Sequence, residues 1–101
     1  MAEEKSANKE QEAITILMMP AFKQAYKKMQ DNQKKEINKA VETIKENPKL
    51  GDEKKGDLAG VFVYKFSCVN QQMLLAYEYN PKTRILLAVG VHENFYRALK
   101  R

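Results

Sequence analysis

Apolar and polar positions along this chain change their period twice. After a polar stretch over residues 1–13 (MAEEKSANKEQEA), residues 14–19 form a short apolar run closed by Pro20, which predicts a first strand. Pro20 suits the first turn of a helix, where its missing N–H costs nothing. Phe22, Ala25, Tyr26 and Met29 then recur at the i, i+3, i+4, i+7 spacing of one helical face, with Lys23, Lys27 and Lys28 off that stripe. The segment DNQ at 31–33 interrupts the stripe, and Asp31 or Asn32 is expected to cap a second helix. Ile37, Ala40, Val41 and Ile44 repeat the pattern until Asn47, Pro48 and Gly51 end it. Two adjacent amphipathic helices with a short connection predict an αα-hairpin.

Residues 49–60 (KLGDEKKGDLAG) read as a charged, glycine-punctuated loop, and beyond it the pattern turns β-like. Residues 61–68, 73–79 and 85–91 are rich in Val, Leu, Phe and Tyr and predict three strands. The breaks at 69–72 and 80–84 are short, the second carrying an Asn-Pro turn signal. Short breaks favour antiparallel hairpins, because parallel strands need a crossover of about a dozen residues or more. The expected fold is α+β in the order β-α-α-β-β-β, with residues 92–101 (HENFYRALKR) as a short C-terminal turn or helix. Residues 14–101 form one domain, residues 1–13 are a polar tail without a role in the fold, and no internal repeat is visible.

Composition narrows the class. With 101 residues, 44% hydrophobic and 31% charged, the chain suits one globular domain with a charged surface and excludes full disorder. No apolar run approaches the ~20 residues that span a bilayer, and the N-terminal stretch lacks the apolar region of a secretory signal. A soluble, cytoplasmic protein without a membrane partner is expected. One cysteine, Cys68, excludes a disulfide framework. The net charge of +5 is unevenly placed. Residues 1–53 balance ten lysines against ten acids, so the whole excess falls in residues 54–101. That half holds Lys54, Lys55, Lys65, Lys82, Arg84, Arg97, Lys100 and Arg101. Such a half suits a polyanion, although a merely solvated lysine-rich surface has the same composition.

One His and one Cys, 24 positions apart, do not make a metal site, and four scattered glycines do not make a phosphate loop, so no cofactor is expected. Cys68 shares the alternation phase of Phe62, Tyr64 and Phe66 and reads as a small core filler rather than a nucleophile. The end of the last strand is richer. His92, Glu93, Asn94, Tyr96 and Arg97 gather proton-transfer groups and a cation within six positions. RNA cleavage needs a base for the 2′-hydroxyl, an acid for the leaving 5′-oxygen and cations on the phosphorane. His92 or Glu93 has the chemistry of base or acid, Tyr96 can orient or donate a proton, and Lys54, Lys55, Lys65 and Arg97 can hold phosphate. The competing reading makes Tyr96 a core-docking aromatic and its polar neighbours plain surface.

The segments KKGDLAGVFVYKF (54–66), LLAYEY (74–79) and VGVHENFYRALKR (89–101), in this order after two helices, resemble the RelE/ParE superfamily. The closer similarity is to the ParE-like toxins of bacterial type II toxin–antitoxin systems, and it covers residues 14–101. The resemblance implies two N-terminal helices packed on a twisted antiparallel sheet. It implies either a metal-independent endoribonuclease that cleaves messenger RNA on the ribosome, or an inhibitor of DNA gyrase, neutralised in both cases by an antitoxin. Carried over by position, Lys65 matches a basic residue of the RNA-cleaving branch, and Lys54 and Lys55 fall in a loop where that branch places cations. His92 stands where relatives carry a basic residue or histidine, and Tyr96 matches a functional aromatic. Arg97, Lys100 and Arg101 extend the expected phosphate contacts. Two positions depart from the pattern: Leu74 stands where the RNA-cleaving branch often has arginine, and Ala98 where close relatives have an acid. An inactive relative kept for antitoxin binding is the third reading. The antitoxin is expected to be acidic and to cover the meander's open edge.

Overall fold

The computed structural model describes residues 14–91. The expected strand-helix-helix-meander order is present, with one addition. Strand β1 is Thr15–Met18, helices α1 and α2 are Pro20–Lys27 and Asp31–Glu46, and β2 is a two-residue strand, Asp52–Glu53. The meander follows as β3 (Phe62–Cys68), β4 (Gln71–Asn80) and β5 (Thr83–Gly90). The expected C-terminal helix and the polar tail lie outside the described residues.

Pro20 opens α1, and Lys27 occupies its last turn, where a cation complements the helix dipole. The second helix is capped one residue before the first expected cap. Gln30 is the N-cap, and its backbone N–H donates to Gln33 Oε1 at 2.9 Å. Asp31 is therefore the first helical residue, its carboxylate at the positive end of the dipole rather than in a capping bond. The hairpin is tied across its two arms by the Tyr26 hydroxyl, which donates to Asn38 Oδ1 at 2.9 Å.

The five strands form one mixed sheet in the order β1-β5-β4-β3-β2. The three meander strands are antiparallel, as their short breaks require. The expectation of a wholly antiparallel sheet needs correcting at β1, which pairs parallel with β5 from Thr15↔Thr83 to Met18↔Leu86. The chain between β1 and β5, which carries the helical hairpin and the other three strands, supplies the long connection that a parallel neighbour needs. The segment expected as loop also differs. It contains a 3₁₀ turn at Pro48–Leu50, β2 pairing Asp52↔Val63 and Glu53↔Phe62, and a second 3₁₀ turn at Gly56–Leu58. Asp52 and Glu53 have low strand propensity, so this pairing carries no signal in the pattern.

The sheet is apolar on both faces at its centre. On one face Phe22, Ile37, Ala40 and Ile44 from the helices pack against Cys68, Met73, Leu75, Tyr77, Leu86 and Val89. On the other, Val61, Val63, Leu74, Ala76 and Ala88 form a smaller cluster with Leu58 against it. This explains the five consecutive buried residues Met73, Leu74, Leu75, Ala76 and Tyr77, since a strand covered on both sides loses its alternation. Cys68 is the core filler its phase indicated, fully buried with its thiol 3.8 Å from the Gln33 carbonyl oxygen.

Candidate functional site

Alternation along β3 puts Val61, Val63, Lys65 and Ser67 on the face opposite the helices. Lys65 is exposed there, and among the described residues no carboxylate pairs with it. Its cross-strand neighbour is Leu74, whose partner on β5 is Gly90. The row Lys65–Leu74–Gly90 thus crosses three strands, and two strand spacings separate its ends by about 10 Å of backbone. Beyond Gly90 the chain continues through Val91 to His92, Glu93, Tyr96, Arg97, Lys100 and Arg101, all outside the described residues.

The second pair of predicted cations arrives from β2. The Lys54 backbone N–H donates to the Val61 carbonyl at 2.8 Å, extending the β2–β3 ladder by one step. That register places Lys54 on the same face as Val61, Val63 and Lys65. Lys55 is exposed and precedes the turn at Gly56, whose φ of +69° suits a residue without a Cβ. Lys54 and Lys65 therefore share one side of the sheet, and Lys55, the next residue in extended chain, lies exposed at the start of the turn.

Two residues missed as functional in the sequence organise the opposite end. Arg84 was counted with the basic excess, but it is buried at 4% exposure. Its Nε and Nη2 donate to the Lys45 carbonyl at 3.3 and 3.0 Å, and its Nη1 to those of Asn80 and Thr83 at 2.7 and 3.2 Å. Its guanidinium closes the C-terminal turn of α2 onto the β4–β5 hairpin and is not offered to a polyanion. Tyr77 is fully buried, with its hydroxyl donating to the Pro48 carbonyl at 2.6 Å and accepting from the Gly51 N–H at 3.0 Å. Burial pushes its phenol above the usual value, partly offset by the Gly51 bond. Periodicity marks both as strand residues and says nothing of the distant partners Lys45, Pro48 and Gly51, which come from 26 or more positions away.

Leu74 is buried among Val63, Ala76 and Ala88 beside Lys65, so this position supplies packing where a cation would supply charge. Burial also pushes the Cys68 thiol up, with Glu36 adding to the effect, which keeps it protonated at neutral pH. Among the described residues no group of three or more His, Cys, Asp or Glu could hold a metal ion. None of their helices is long and apolar enough to cross a membrane.

A helical hairpin on one face of a mixed five-stranded sheet, with Lys54 and Lys65 on the other, defines a small basic α+β protein. Residues 16–100 match the family model of the ParE-like toxins of type II bacterial toxin–antitoxin systems, and the chain belongs to that family. Within the RelE/ParE superfamily its fold is similar to that of solved toxins. The E. coli RelBE toxin–antitoxin complex contains a chain matched at TM-score 0.65 and 15% identity, over 79% of this chain and 98% of that one. A free mutant form of the E. coli toxin RelE matches at TM-score 0.64 and 13% identity, over 80% and 85%. The RelBE2 toxin–antitoxin complex of Mycobacterium tuberculosis matches at TM-score 0.56 and 18% identity, over 78% and 98%. No curated protein matches the chain.

Proposed function

We propose that this toxin is a metal-independent endoribonuclease that cleaves messenger RNA on the ribosome and so stops translation. The row Lys65–Leu74–Gly90 carries this reading, because it aligns an exposed lysine with the strand end from which the His92–Glu93–Tyr96 cluster departs. In the reaction, the 2′-oxygen forms a bond to phosphorus while the bond from phosphorus to the 5′-oxygen breaks. His92 or Glu93 takes the 2′-hydroxyl proton, and the other member of the pair, or Tyr96, gives a proton to the leaving oxygen. Lys65 and Arg97 stabilise the phosphorane, while Lys54, Lys55, Lys100 and Arg101 hold flanking phosphates. A cognate antitoxin with an acidic segment would neutralise this basic face, in keeping with the toxin–antitoxin complexes among the solved structures.

The test is brief induction in bacterial cells followed by 5′-end mapping of a reporter message. Cuts within translated codons that vanish when translation is blocked are expected. The variants His92→Ala, Tyr96→Ala and Lys65→Ala should each reduce cutting by about 100-fold or more with the fold intact. Full toxicity in all three would overturn the site. One observation favours a second reading, inhibition of DNA gyrase without chemistry: Leu74 is buried where the RNA-cleaving branch often has an arginine. Growth arrest with intact messages and lost supercoiling activity would select it.

A further inference from the structure

We propose that Tyr77 is the positioning residue of the lysine loop at 54–60, acting through Gly51; this rests on the reading that Lys54 and Lys55 hold phosphate. A phenylalanine at 77 would fill the same core space and keep the ring stack with Phe62, whose centroid lies 5.8 Å away. The hydroxyl is buried, so its presence demands partners. It has two, and they span the 3₁₀ turn by which the chain leaves α2: the Pro48 carbonyl at its first residue and the Gly51 N–H just after it. The turn is thereby pinned to the central strand of the sheet.

Gly51 shows how close the pin is. A Cβ there would lie 2.8 Å from the Tyr77 hydroxyl oxygen and 3.1 Å from the Val63 carbonyl carbon and oxygen. Its backbone is ordinary extended chain (φ −73°, ψ 163°), so contact rather than dihedral demands the glycine. From that point β2 and the Lys54–Val61 bond tie the outgoing chain to β3. A two-residue strand is a weak tether. The register that puts Lys54 on the Lys65 face is accordingly set three residues upstream, where Gly51 meets Tyr77. This is a role in placement: Tyr77 lies on the helix side of the sheet, with Lys54 and Lys65 on the other.

The experiment compares wild type with Tyr77→Phe, Gly51→Ala, the Lys54→Ala/Lys55→Ala pair, and Tyr77→Phe added to that pair. Two readouts are needed: amide hydrogen exchange, and fluorescence anisotropy of a 20-nucleotide single-stranded RNA at several salt concentrations. In Tyr77→Phe, exchange at the Lys54 amide should quicken about tenfold or more while the Leu75 amide keeps its protection. RNA affinity should fall several-fold, and the salt slope should drop toward that of the lysine pair, by about 1.4 for two lost phosphate contacts. Added to the lysine pair, Tyr77→Phe should cost nothing more. Gly51→Ala should show the same loosening, and it decides the matter if Tyr77→Phe does not fold. Unchanged Lys54 exchange in the folded variants, or an affinity loss fully additive with the lysine pair, overturns the proposal. Absence of RNA binding by wild type would instead sink the phosphate-holding reading, and the exchange readout would still decide whether Tyr77 places the loop.

Discussion

Cys68 shows how burial settles chemistry at a single side chain. It is fully buried against α2, and desolvation with Glu36 nearby raises its thiol above the ordinary value of 9.0. The thiolate is the reactive form, so alkylation by iodoacetamide at pH 8 should be at least about 100-fold slower in the folded protein than in denaturant. Equal rates would mean that the strand end opens readily. The sign for stability follows from the same direction. A thiol that holds its proton more tightly when folded contributes stability that is present below the unfolded value and lost as pH rises above it. Arg84 is the opposite case at this scale. Its charge is legible in the sequence, but its geometry turns four guanidinium hydrogen bonds toward backbone carbonyls of α2 and the hairpin.

The β3–β4 hairpin carries a local conflict between residue and turn. Only Val69 and Asn70 separate the strands, with φ of +50° and +68°. Two-residue hairpin loops favour this left-handed pair because its twist matches that of the strands. Asn70 tolerates it, whereas the β-branched Val69 does not, and Val69 is 42% exposed, with little burial to offset the strain. Val69→Asn should therefore raise stability by about 1 kcal/mol, read as a higher denaturant midpoint at unchanged slope. A lower midpoint would show that Val69 contributes packing that outweighs its backbone. The helices and the three long strands were legible from periodicity, because each buries a stripe or a continuous run against a partner. The short β2 was not, since Asp52 and Glu53 are strand residues only by virtue of the β3 edge they meet. The meander's expected open edge is also modified: β1 covers β5, and β2 covers only the first two residues of β3.

At the scale of the whole molecule, charge and fold act together. The basic excess lies in the second half of the chain, and the sheet brings Lys54 and Lys65 to one side of it, with exposed Lys55 next to Lys54. Phosphate contacts by these three lysines alone imply that RNA binding weakens at least about 20-fold between 50 and 200 mM salt. Anisotropy with a short single-stranded RNA checks this, and a salt-independent affinity would show that these lysines do not hold the chain's ligand. Leu17 and Met18 on the outer strand β1, and Met19 just after it, lie nearly half exposed. The sequence by itself determined the α+β class, the helical hairpin, the meander and the residues of the proposed chemistry, because periodicity and residue type are local properties. Only the tertiary structure decided that β1 joins β5 in parallel, that Arg84 is consumed by carbonyls, and that Tyr77 reaches Pro48 and Gly51. Each of these depends on which distant backbone groups a fold brings within hydrogen-bond distance, and no local pattern in the chain encodes that.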